Sequence, residues 1–122
     1  MDRVRFIEHN GTRIVLLDFS GMTDVELGLV EIAKAKRFIG GQPPNGTTLT
    51  LTDVRETTYD RRIIDAFKDM TTANKPMVKA AAVVSNAALH KAAIAMIAFF
   101  SRRKLQVFDS REAALDWLAA QA

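Results

Sequence analysis

The 122-residue chain contains no cysteine, and that absence removes disulfide frameworks, a cysteine nucleophile and every thiolate metal site. Long apolar runs are missing as well. The longest, Ala92 to Phe100, has nine residues against the roughly 20 that span a bilayer, so no integral membrane association is expected. The opening Met1-Asp2-Arg3-Val4-Arg5 lacks the apolar centre of a signal peptide, and the chain reads as cytoplasmic. G-x-G-x-x-G, Walker A, H-E-x-x-H and G-x-S-x-G do not occur. No cofactor, metal or catalytic residue is therefore expected, and the chain reads as a non-enzyme. Its two histidines, His9 and His90, sit on separate elements without ligand spacing. Charge of one sign is also scarce: 17 basic against 14 acidic residues leave +3, too little for neutralising many phosphates, so nucleic acid is not an expected partner.

What is present is the composition of one packed domain over residues 1–122, 48% apolar and 25% charged. The basic excess is concentrated between Lys75 and Lys104, where Lys75, Lys79, Lys91, Arg102, Arg103 and Lys104 occur with no Asp or Glu.

Alternation in Val4 to Phe6, then Asn10-Gly11, then Ile14 to Leu17 predicts a β-hairpin, since Asn-Gly accepts the positive φ angles of a type I′ turn. Thr23-Asp-Val-Glu26 has the form of a capping box, opening a helix to about Ile39. Gly40 to Gly46, with two prolines and three glycines, is a connector. Thr47 to Thr52 alternates Thr with Leu and predicts a strand ending at Asp53. Asp60 then caps a helix carrying Ile63, Ile64, Phe67 and Met70, terminated at Asn74-Lys75-Pro76. The small apolar run Ala80 to Val84 predicts a strand buried on both faces, central to a parallel sheet. An Ala-rich helix from Asn86 to about Ser101, a short strand Leu105 to Phe108, a second capping box Asp109-Ser-Arg-Glu112 and a closing helix through Trp117 complete the order ββαβαβαβα. This is an α/β fold with a mixed five-strand sheet covered by four helices, the first strand antiparallel.

In open α/β sheets the functional crevice lies at the carboxyl ends of the strands. Here those ends carry Asp18-Phe-Ser20, Asp53-Val-Arg55, Ser85-Asn86 and Asp109-Ser110. Asp18, Asp53 and Ser85 resemble a phosphoacceptor or magnesium site only superficially, because Lys104 precedes the last strand instead of following it; helix capping accounts for most of these polar residues. Asp53, Arg55, Thr57 and Thr58 form a candidate regulatory loop, its hydroxyls preceding a helix N-terminus where an added phosphate would be stabilised. A second candidate surface comes from Met96, Phe99, Phe100, Arg102 and Arg103. Apolar residues surround that helix beyond Lys91 and cannot all face one sheet. Burial beneath the closing helix and Trp117, a dimer or other protein contact, and a lipid-facing patch all remain open.

Taken together, several stretches resemble bacterial SpoIIAA-like proteins of the STAS/SEC14-like group. They are the Asn10-Gly11 hairpin, Asp53-Val-Arg55, Asn74-Lys-Pro-Met-Val-Lys79 leading into Ala-Val-Val-Ser85, Leu89-His-Lys91 and, most specifically, Phe108 to Leu118. The resemblance implies a small α/β domain, commonly without catalysis, related in shape to anti-sigma-factor antagonists and to lipid-carrying SEC14 domains. One motif departs. Antagonists carry a phosphorylatable Ser in an Asp-Ser-Ser-Gly-like turn, where this chain has Thr57-Thr-Tyr-Asp-Arg-Arg62, so Thr57 or Thr58 replaces it by position alone. A regulatory or protein-interaction domain, with a protein partner or a homodimer, is the first expectation. A carrier of a small apolar or lipid ligand is the alternative.

Overall fold

The computed structural model describes residues 2–87, 94–95 and 105–122. Its sheet has five strands in the spatial order β1 (Val4–His9), β2 (Thr12–Asp18), β3 (Thr48–Asp53), β4 (Val78–Val84) and β5 (Leu105–Phe108). The first pair is antiparallel and the others are parallel, as the order of elements predicts. Asn10 and Gly11 take φ of 51° and 76°, so the hairpin closes through a two-residue turn with both central residues in the left-handed region.

Helices α1 (Val25–Gly40), α2 (Arg61–Asn74) and α3 (Arg111–Ala120) are the three fully described ones. Of the fourth expected helix, Asn86 to Ser101, only Ile94 and Ala95 are described within a helix; Met96, Phe99, Phe100, Arg102 and Arg103 lie outside the described residues. Two capping boxes are displaced by one residue from the sequence reading. Asp24, not Thr23, caps α1 by accepting from Leu27 N–H at 3.1 Å. Ser110, not Asp109, caps α3 by accepting from Ala113 N–H at 3.2 Å. Glu26 and Glu112 therefore fall at the second helical position, where they meet the dipole but do not close a box. Asp60 caps α2 as expected, through Ile63 N–H at 2.9 Å.

Strand order increases steadily across the sheet, so crossovers of one hand deliver their helices to one face. One core cluster accordingly joins Val15, Leu17, Phe19 and Val83 to Ile32, Ile39, Ile63, Phe67 and Ile94. The other joins Ile14, Leu16, Leu49, Leu51, Ala82 and Val84 to Ala114 and Leu118 of α3, with Trp117 beside them. Ile94 thus packs on the face opposite Trp117. The middle of the sheet is β3, not the Ala80 to Val84 strand, which lies between β3 and the edge strand β5. Two-faced burial is common to β2, β3 and β4, so an uninterrupted apolar run reports burial without reporting position. Where α1 and α2 cross, a Cβ added to Gly28 would stand 2.9 Å from Ile63 Cδ1, so a larger residue there would have to displace the end of the buried Ile63 side chain. Among the described residues, no helix is long and apolar enough to cross a membrane.

Candidate functional site

Two constellations stand out, one at the carboxyl edge of the sheet and one beneath α1 and α2. At the edge, backbone bonds run laterally past the strand ends, from Phe19 N–H to Asp53 O and from Val54 N–H to Val84 O at 2.9 and 3.0 Å. They hold Asp53 between its neighbours with its side chain fully buried. Arg55 donates to it twice, through Nε to Oδ1 at 3.1 Å and through Nη2 to Oδ2 at 2.7 Å, and the Arg55 backbone N–H adds a third bond to Oδ1. Arg111, in the first turn of α3, donates from Nε to Asp53 Oδ2 at 2.7 Å and pairs through Nη2 with Asp18 Oδ1 at 3.0 Å. Ser20 donates to the same Asp18 oxygen from its hydroxyl.

Burial pushes the Asp53 carboxyl upward, but the hydrogen bonds from Arg55 and Arg111 outweigh it and hold the group below the usual carboxylate range. Asp18 is likewise lowered, its burial outweighed by Ser20 and Arg111. Two carboxylates facing two guanidiniums make a closed, charge-balanced network that fastens the start of α3 to β2 and β3. Helix capping, the role expected for Asp18 and Asp53, is corrected here: both bind arginine side chains. Arg111 was missed, because nothing local in Asp109-Ser-Arg-Glu112 points to an acid 58 residues earlier. The edge also lacks a topological switch point among the described strands, since their order never reverses.

The candidate loop divides at its threonines. Thr57 is buried, its hydroxyl donating to Phe19 O at 2.6 Å and tying the loop to the end of β2. Thr58 is exposed, its backbone N–H donating to Met22 O at 3.1 Å.

Beneath the helices lies a cavity of about 40 Å³. Leu17, Ala81, Val83 and Leu105 form its sheet side, with Ile39, Phe67, Met70 and Ile94 opposite. Thr50 and Thr52 of β3 also face it, because the Leu half of the Thr-Leu alternation turns to α3. Tyr59 lines it too, packed edge-on against Phe67 at 6.0 Å, and burial pushes its phenol above the usual range. Val54, Thr71 and Asn74 complete the described lining; Asn74, which also borders the groove outside, is 2% exposed, and its Nδ2 has no hydrogen-bond partner among the described residues. Asn74 continues the buried stripe Ile63, Phe67, Met70 of α2 at the spacing where an apolar residue is expected. That break in the stripe was the sequence signal for this site. Outside, α1 and α2 form an open groove of about 470 Å³ crossed by the exposed Lys36–Asp69 ion pair.

Leaving a buried amide unpartnered costs about 1–3 kcal/mol. Asn74→Leu, nearly isosteric, is therefore expected to raise stability by about 1 kcal/mol, read as a higher urea midpoint at unchanged slope. A lower midpoint would mean that the amide contributes to folding.

No family model matches the chain, and no curated protein matches it. In shape it is similar to the crystal structure of an uncharacterized protein of the DUF3478 family from Shewanella loihica PV-4, described as having a SpoIIAA-like fold. The superposition has a TM-score of 0.69 over 94% of this chain and 91% of that one. The fold is SpoIIAA-like. At 14% identity the likeness is one of backbone architecture, and it agrees with the resemblance drawn from Phe108 to Leu118 and the hairpin. Within this SpoIIAA-like frame the edge network serves to dock α3, while the cavity is the interior feature whose polar group is left unsatisfied.

Proposed function

We propose that the chain is a non-enzymatic binding domain that takes a small, mostly apolar molecule between its sheet and its α1/α2 face. The observation that carries this reading is the cavity beneath those helices, apolar on most sides and bordered by a few polar groups, the usual make-up of a small-molecule site. Its volume is near the roughly 30 Å³ that one water occupies in the liquid and well below the roughly 150 Å³ of a cavity that takes benzene, so it suits a ligand of one to three heavy atoms, not an acyl chain. The absence of catalysis is part of the proposal. Asp18 and Asp53 are engaged by arginines, which suits them to docking α3 more than to accepting a phosphoryl group or moving a proton.

Native mass spectrometry of the protein purified from its own cells tests this. A retained small molecule, released on denaturation, is the expected result. A bare polypeptide mass, together with no binding of small apolar compounds in solution, would overturn it.

A regulatory protein contact is the second reading. It is favoured by Leu27 and Val30, one turn apart on α1 and 44% and 52% exposed. Sedimentation at micromolar concentration, with Val30→Lys as the control, separates a homodimer through this face from a monomer.

A further inference from the structure

We infer that Asn10 is a site of spontaneous chemical modification in the folded protein, its side-chain amide passing through a cyclic imide to aspartate and isoaspartate, and that the fold protects the second Asn-Gly pair, Asn45-Gly46, from the same reaction. The inference is independent of the cavity.

The chemistry needs only the chain and water. The backbone nitrogen of the glycine attacks Cγ of the asparagine before it. The new N–Cγ bond closes the imide, the Cγ–Nδ2 bond breaks, and the amide nitrogen leaves as ammonia, carrying the proton that the glycine nitrogen has lost. Water then opens the imide at either carbonyl, which gives an aspartyl or an isoaspartyl link. Glycine favours the attack because it has no Cβ to obstruct the approach and leaves the backbone free to turn.

The two pairs are alike in sequence, each followed by threonine (Thr12 and Thr47), and both asparagines are exposed. They differ in what holds the reacting groups. Gly46 N–H donates to Pro76 O at 3.0 Å, and the Thr47 hydroxyl donates to Asn45 Oδ1 at 2.6 Å. Nucleophile and side chain are both tied, so attack at Asn45 has to break these contacts first. In the hairpin, the ladder bonds that close a two-residue turn belong to the flanking pair His9 and Thr12. Neither Gly11 N–H nor the Asn10 side chain has a hydrogen-bond partner among the described residues, and a Cβ built on Gly11 would meet nothing within 4 Å. The nucleophile is unspent and the tip of the turn is open.

The two products differ in consequence. Asp-Gly also suits a type I′ turn, so the aspartyl form keeps the hairpin. The isoaspartyl form carries an extra methylene in the main chain of the turn that sets the register of β1 on β2, and it is the product that loosens this edge of the sheet.

Peptide mapping provides the test. Trypsin releases Phe6–Arg13 and Phe38–Arg55, each with one of the two Asn-Gly pairs. The protein is held at neutral pH, folded or in urea, and tandem mass spectrometry of the digests follows the loss of asparagine at each position with time. In urea the two rates should be alike, because the local sequence is shared. In the folded protein Asn10 should convert faster than Asn45 by about tenfold, the ratio to which the net worth of one or two hydrogen bonds corresponds. Amide hydrogen exchange reads the cause separately: Gly46 N–H should be protected and Gly11 N–H should exchange as in an unfolded chain. Equal rates in the folded protein would overturn the inference. So would an Asn10 that converts in urea but not when folded, since the turn itself would then block the attack. A difference that persists in urea would assign it to sequence instead of fold and overturn the protection of Asn45.

Discussion

Asp53→Ala is expected to lower the folding free energy by about 3 kcal/mol, the low end of the range for removing one partner of a buried ion pair. The carboxylate is the hub of the edge network. Without it, Arg55 and Arg111 lose their shared acceptor, and α3 keeps only the Asp18 contact at its first turn. Both arginine side chains are about one-third exposed, at 35% and 33%, so water compensates them in part and the loss stays near that lower limit. Chemical denaturation of parent and variant measures it directly.

The same network makes a pH prediction. The folded-state pKa values of Asp53 and Asp18 lie below their unfolded values, so their contribution is complete above the ordinary carboxylate range of about 4 and is lost as pH falls through the lower folded values. The parent should therefore lose thermal stability steeply below about pH 4. Asp53→Asn, which removes one of the two titrations, should show a shallower loss over the same interval. Identical slopes would place the acid sensitivity elsewhere.

Phe67→Ala is expected to cost more, about 4 kcal/mol, the range for deleting a buried aromatic side chain. Phe67 is 4% exposed and packs against Phe19 and Tyr59 with ring centroids at 5.5 and 6.0 Å. It also forms one wall of the cavity, so truncation both removes packing and enlarges the internal space. Benzene should then recover part of the lost stability, because a ligand that binds only the folded state stabilises it by mass action. Phe67→Leu, with less volume removed, should lose less and respond less to benzene. A cost under about 1 kcal/mol for the alanine variant would show that the surrounding side chains collapse into the site.

Much of the fold was legible because its signals are local. Asn10-Gly11 announces positive φ angles, Asp60 announces a cap, and the helix pattern Ile63, Phe67, Met70 announces a buried stripe. Each depends on residues within one or two turns of one another. The capping boxes failed by one residue for a related reason: Thr23 and Asp24, like Asp109 and Ser110, are adjacent cap formers, and only the chain's entry angle selects which side chain reaches the third helical N–H.

The candidate site was legible only in part. Asp53 and Arg55 are close in sequence and were placed in one candidate loop, but their ion pair was not foreseen; Arg111 joins them only when β5 delivers α3 to the carboxyl edge. Composition, the alternation of β3 and the breaks between elements settled that the fold is α/β. Alternation along β3 also settled that Thr50 and Thr52 share a face, since successive side chains point to opposite sides. Which face that is could not be read there. The handedness of the crossovers decides it by placing α1 and α2 over the threonines and leaving the leucines to α3. Asn74 follows the same division: local spacing puts it on the buried face of α2, and only the packing of α2 over the sheet leaves its amide nitrogen without an acceptor among the described residues.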